Sequence, residues 1–201
     1  MFTSIFFRNP ITELFICEGW MVLHMGFWDD KEPSESMVAR YIRNGAPDWI
    51  SNFVATGNAN GTAMEEFLRY LYDCIENYSE SGSDVRLYDT LAEVKTTSVW
   101  KNGSGKWQHI EPNHNWSVLL LVRIEYHSID IYLMCREAFQ MALDDGAATD
   151  QGKKGTSFEG YWFSPWDKAL EYATLVESIT ENPDEGDGDC EAMQSALDEC
   201  Q

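Results

Sequence analysis

The stretch "NWSVLLLVRIEY", residues 115–126, limits the fold more than any other. From Val118 to Ile124 it carries a single charged side chain, Arg123. A strand with apolar side chains on both faces has to be covered on both faces, so it belongs at the centre of a sheet with helices against it. A 201-residue chain that is 44% hydrophobic and 13% aromatic has enough apolar material to build that cover.

The neighbouring segments supply partners. "FTSIFF" and the stretch from Thr12 to Phe27 are rich in β-branched and aromatic residues, and Asn9-Pro10 marks a turn between them, which predicts an N-terminal hairpin. "SVWKNGSGKWQHI" has two strand-like arms around Asn102-Gly103-Ser104-Gly105. With residues 115–126 these arms predict a three-stranded antiparallel meander around residues 96–126.

Helical signals surround the strands. In "PSESMVARYIRNG", Met37, Val38, Tyr41 and Ile42 fall at helical spacing, with Ser34 as the cap and Gly45 as the stop. Pro47 opens a second helix faced by Trp49, Ile50, Phe53 and Val54. "TAMEEFLRYLYDCIENY" has Thr62 and Glu65 at capping-box spacing and a stripe of Phe67, Leu68, Leu71 and Ile75. Further helices are expected from Asp84 to about Val94, over "IYLMCREAFQMALDDG" up to Gly146, from a Ser164 cap to Asn182, and in a short terminal piece capped by Asp189. The fold class is therefore α+β, an antiparallel sheet packed with about five to six helices. Its organisation is one domain over residues 1–182 and an acidic C-terminal extension over 183–201.

Charge is the outlying property. The chain has 34 acidic and 14 basic side chains, a net charge of −20, and residues 144–201 hold 15 of the acids and three of the bases. Such a field repels nucleic acid and anionic membranes and attracts basic protein surfaces. The five cysteines form no C-x-x-C pair, and the apolar N-terminus lacks a basic leader and a small-residue cleavage site. These features predict a cytoplasmic protein with reduced thiols.

Catalytic motifs are sparse. "WQHIEPNHNW" gathers His109, Glu111, His114 and Asn115, a workable set for a divalent metal. Its "HIEP" resembles the His-Ile-x-Pro opening of HNH nucleases over those few residues, but the loop to the Asn is shorter than in that family and no basic track for phosphates accompanies it. "NGSGK" lacks the full P-loop pattern, and no serine sits in a nucleophile elbow. An EF-hand register started at Asp187 puts Ala192 where glycine is needed. No cofactor is expected.

The acidic side chains themselves suggest a role. Asp73, Glu76 and Glu80 fall at helical steps on the third expected helix, and carboxylates on successive turns have roughly the 5 to 6 Å spacing of successive phosphates. Tyr161, Trp162 and Trp166 offer aromatic anchors, and Asp184, Glu185, Asp187 and Asp189 add charge. In composition the chain resembles phage and plasmid inhibitors of restriction and CRISPR systems. The expected function is a non-enzymatic acidic inhibitor that imitates nucleic acid and blocks a basic nucleic-acid-binding enzyme, without binding nucleic acid or membrane itself. The alternatives are an adaptor for a basic partner and a small metal-dependent enzyme built on His109, Glu111 and His114.

Overall fold

The computed structural model describes residues 8–9, 12–13, 16–17, 20–21, 36–55, 60–78, 83–154 and 157–200. The chain divides into two compact units, Met1–Ser34 and Glu35–Gln201. In the first, β1 (Arg8–Asn9) pairs with β2 (Thr12–Glu13), and β3 (Ile16–Cys17) pairs with β4 (Trp20–Met21). Most of the N-terminal hairpin expected from "FTSIFF" and residues 12–27 lies outside the described residues.

The second unit opens with α1 (Met37–Arg43), whose N-terminal N–H groups are capped by Ser36 rather than Ser34, and α2 (Asp48–Ala55). Gly45 stops α1 at φ 79°, a conformation glycine adopts without strain. α3 (Asn60–Leu71), β5 (Ile75–Asn77), β6 (Val85–Leu87), β7 (Thr90–Ser98), β8 (Trp107–Ile110), β9 (Val118–Ile124), β10 (Ile129–Cys135) and α4 (Arg136–Asp144) follow. The chain closes with β11 (Ala148–Asp150), β12 (Lys153–Lys154), β13 (Ser157–Phe158), β14 (Tyr161–Phe163), a 3-10 turn at Trp166–Ala169, β15 (Thr174–Ile179) and α5 (Cys190–Asp198). The fold is α+β.

The main sheet has six strands in the order β15-β10-β9-β7-β6-β5. β9 lies inside it, as its unbroken apolar run requires: Val118 to Val122 are all buried. Each such side chain contributes about 1.5–3 kcal/mol by leaving water. α3 packs on β7, and α5 packs on β10 and β15, burying Met193, Ala196 and Leu197.

The sheet is mixed and not antiparallel throughout, because β7 and β9 run parallel. The arms around Asn102–Gly105 therefore do not pair with each other as a meander. β8 leaves to join a second, antiparallel sheet of order β11-β14-β8. Trp107 on β8 is fully buried, and its indole N–H donates to the Val122 carbonyl at 3.2 Å.

Four expected helices are shortened or become strands. The expected helix from Asp84 to Val94 is the β6–β7 hairpin: Val85, Leu87, Ala92 and Val94 are buried between strand neighbours, and packing outweighs the helix propensity of Leu91, Ala92 and Glu93. α3 stops at Leu71 because residues 186–188 fold back on it, the Gly186 and Gly188 N–H groups donating to the Tyr70 and Leu71 carbonyls at 3.0 and 2.8 Å. A Cβ on Gly188 would lie 2.4 Å from the Tyr72 ring. "IYLMC" is the end of β10, and only the residues after it turn helical; Met141, expected inside, is exposed. Beyond Pro165 a single 3-10 turn precedes β15, whose Thr174, Val176 and Ile179 suit an edge strand paired with β10.

The thiols also differ from expectation. Cys74, in the turn after α3, is bonded to Cys190 at the start of α5, Cα atoms 6.0 Å apart, which ties the two ends of the 186–188 contact together. Cys135 and Cys200 are free. No helix among the described residues is long and apolar enough to cross a membrane.

Candidate functional site

The most unusual electrostatic arrangement lies on the β6–β7 hairpin. Glu93 and Lys95 are two residues apart on β7, so the pleat puts both side chains on one face. Lys95 Nζ stands 2.5 Å from Glu93 Oε1. Glu93 is only 3% exposed, and its Oε2 accepts no hydrogen bond from the described residues. A buried carboxylate oxygen that accepts no hydrogen bond is costly even with an imidazole nearby, so a fold that keeps one usually has a use for it.

Asp84 is brought beside them by the strand ladder. Its N–H donates to the Ala92 carbonyl at 3.0 Å, and its Oδ2 accepts the Val94 N–H at 2.8 Å. The carboxylate is thus held against the β7 backbone at Val94, between Glu93 and Lys95 in sequence. Glu65, half-buried on α3, is the fourth member: burial and then the Asp84 charge push its pKa up, against the opposite pull of Arg69 and Lys95. Because the folded state favours the protonated form of Glu65, its contribution to stability is present at low pH and is lost as the pH rises through its raised pKa. Glu65→Gln should therefore raise the melting temperature at pH 7–8, with the gain shrinking at pH 4, as thermal denaturation across that range would read.

A loop covers the other side. Residues 111–117 bring His114 between two carboxylates, Nδ1 3.4 Å from Glu93 Oε2 and Nε2 3.3 Å from Glu111 Oε2. The Arg136 guanidinium pins this loop by donating to the Pro112, His114 and Trp116 carbonyls, and it lies 4.0 Å over the Trp116 ring. Trp116 closes the loop with an indole bond to the Glu111 carbonyl at 2.9 Å, and Ser83 Oγ donates to the Asn115 carbonyl.

Of the His109, Glu111 and His114 set, the structure brings Glu111 and His114 together. His109, at φ 56° on β8, is engaged elsewhere: its N–H donates to Gln151 Oε1 at 2.8 Å, and its Nδ1 lies 3.1 Å from the Glu159 carbonyl.

The expected row of helical carboxylates does not exist. Asp73 sits in a turn beyond α3, and Glu76 is on β5 across from Arg86. Glu80 lies outside the described residues. The aromatic anchors are largely committed to the protein's own packing: Trp166 is 7% exposed, Tyr161 makes an edge contact with Phe139, and Trp162 bonds Thr149 and lies under Lys106 Nζ at 4.0 Å. In the acidic loop, the Asp184 N–H donates to Asp187 Oδ2, Glu185 is exposed, and Asp189 accepts the Ala192 N–H as the cap of α5.

Among the described residues no three His, Cys, Asp or Glu side chains are gathered closely enough to hold a metal ion by themselves. A magnesium-like cation does not need three. It keeps several waters and is bound through one or two carboxylates together with substrate phosphate. Asp84 and Glu93 fit that demand, since both are hard oxygen donors and Glu93 Oε2 accepts no hydrogen bond from the described residues.

No family model matches the chain, and no curated protein matches it. A solved structure described as a restriction endonuclease in complex with substrate DNA is similar, at 17% identity and a TM-score of 0.41, covering 71% of this chain and 82% of that one. That neighbour is an endonuclease. With the carboxylate row broken after Leu71 and Trp166 buried, the expectation of a non-enzymatic nucleic-acid-mimicking inhibitor is corrected.

Proposed function

We propose that the protein is a divalent-cation-dependent phosphodiester hydrolase with its reaction centre at Asp84, Glu93 and Lys95. The observation that carries this is the buried Oε2 of Glu93, which accepts no hydrogen bond from the described residues and lies 3.4 Å from His114 Nδ1, set on one strand face with the Lys95 ammonium and next to the Val94 N–H that anchors Asp84. Carboxylates paired with an ammonium suit a reaction in which negative charge grows on phosphoryl oxygens.

A magnesium or manganese ion bound there would act as a Lewis acid on a phosphoryl oxygen. Asp84 and Glu93 would hold it, Asp84 keeping its angle through the Val94 N–H. Lys95, now paired with Glu93, carries the positive charge that a phosphate can share in its place. Hydrolysis adds water to phosphorus, breaks one P–O ester bond and leaves a phosphomonoester and an alcohol.

A polynucleotide is the substrate class we assign. The net charge of −20 opposes such a polyanion, so the cation has two tasks, occupying the carboxylates and screening the approach. Incubation of supercoiled plasmid with the protein and magnesium or manganese chloride should produce nicked and linear DNA, with none in EDTA. Intact plasmid under every divalent condition would end the proposal.

A further inference from the structure

α5 is held covalently at its start only. Cys190, its first residue, is bonded to Cys74, while Cys200, just past the Glu199 cap, is a free thiol. The helix packs on β10 and β15 through Met193, Ala196 and Leu197. Two hydrogen bonds place its last turn: the Cys200 N–H donates to the Leu197 carbonyl at 2.9 Å, and the Thr174 hydroxyl donates to Glu199 Oε2 at 2.9 Å. Thr174 on β15 is in register with Leu133 on β10. Cys135 lies two residues beyond Leu133 and on the same face of the strand. There the last turn of α5 brings the Cys200 thiol into hydrogen-bonding contact with the Cys135 thiol. Both are half-buried, so neither is sealed from solvent.

The two sulfurs are not equivalent. Burial and then the hydrogen bond to Cys135 push the Cys200 thiol up to about 12, so Cys200 keeps its proton and donates it. Cys135 is the receiving sulfur. It is also the N-cap residue of α4, and its side chain makes no capping hydrogen bond. Backbone N–H groups at a helix start favour negative charge beside them. One sulfur placed to attack, next to a second thiol that holds its proton in reserve, is the arrangement that opens a disulfide and then resolves the product.

We infer that Cys135 and Cys200 are a redox pair that a low-molecular-weight disulfide closes into a second bridge, fastening α5 at both ends. The Cys135 thiolate attacks one sulfur of the small disulfide, which forms a mixed disulfide and releases the first small thiol. Cys200 then gives up its proton and attacks the Cys135 sulfur, which forms the protein disulfide and releases the second. Two protein thiols are oxidised, one small disulfide is reduced to two thiols, and the two protons end on the released thiols. The pair shares no residue with the Asp84–Glu93–Lys95 centre and does not depend on its chemistry.

The test uses the full chain, with Cys74–Cys190 intact, and glutathione disulfide as the oxidant. Residual thiols are blocked with N-ethylmaleimide, and the chain is cleaved before its aspartates, where Asp198 separates Cys200 from Cys190. Mass spectrometry without reduction then reads the linkage. Wild type should give a peptide pair joining Cys135 to Cys200 and free of glutathione. Cys200→Ser should instead retain one glutathione on Cys135, and Cys135→Ser should react at Cys200 at least about 10-fold more slowly. Bridged wild type should melt at a higher temperature than the unbridged protein, because the bridge closes a long loop of the unfolded chain. Both thiols still blocked by N-ethylmaleimide after the incubation, glutathione retained on wild-type Cys135, equal rates in the two variants, or a bridged form that melts no higher would each overturn the inference.

Discussion

Glu93→Gln and Lys95→Ala are each expected to lower cation-dependent phosphodiester cleavage by about 10²- to 10³-fold, the scale on which removal of one preorganised charge-stabilising group acts. The two variants test different halves of the same pair. Gln keeps the volume of Glu93 and removes the charge that a cation would meet, whereas Ala at 95 removes the ammonium and leaves the carboxylate. Both positions are on β7, in register with Leu119 and Leu121 of β9, so neither variant should alter the sheet. Far-UV circular dichroism recorded alongside the cleavage rates separates loss of chemistry from loss of fold. Rates within twofold of wild type in both variants would remove the β7 pair from the reaction.

Trp107→Ala is expected to destabilise the fold by about 3–5 kcal/mol, the usual cost of deleting a buried Trp or Phe. Trp107 is fully buried where the two sheets meet, its ring 6.3 Å from that of Tyr132 and 6.4 Å from that of Trp166. Truncation opens a cavity there and also leaves the Val122 carbonyl without the indole N–H. Against a total stability of about 5–15 kcal/mol this is a large fraction. Urea denaturation should show a markedly lower midpoint at unchanged slope; a shift worth under about 1 kcal/mol would mean that the second sheet is not packed on the first.

The strand at 118–124 could be read from sequence because burial on both faces leaves no alternative to an inside position. Helix starts with a cap and stop were also legible: Gly45 ends α1, and Asp189 caps α5 as expected. The catalytic candidates were not. Asp84, Glu93 and Lys95 sit in a segment whose Leu, Ala and Glu favour helix, and a helical reading spreads Glu93 and Lys95 about 200° apart around an axis. A period of two over residues 90–98, with Val94, Thr96 and Thr97 β-branched, would have put them on one face. Asp84 could be found only through the ladder that brings its backbone to Ala92. His114 and Glu111 were legible as a pair three residues apart, but their meeting with Glu93 depends on Arg136, more than 20 residues away in sequence, gripping three loop carbonyls.

The acidity misled for a related reason. Charge counted along the chain says how many carboxylates there are and nothing of which ones share a face. The loop at 184–189 uses two of its own, Asp189 to cap α5 and Asp187 to close a turn, while the buried Glu93 lies in the half of the chain with less charge. Manganese binding followed by electron paramagnetic resonance separates the two locations directly. Wild type is expected to bind an ion whose affinity falls at least about 10-fold in both Asp84→Asn and Glu93→Gln, the loss expected from removing one of two charged ligands. The same affinity should survive Asp184→Asn combined with Asp187→Asn. Wild-type affinity in the first two variants, or its loss in the loop variant, would contradict a cation site on the β6–β7 hairpin.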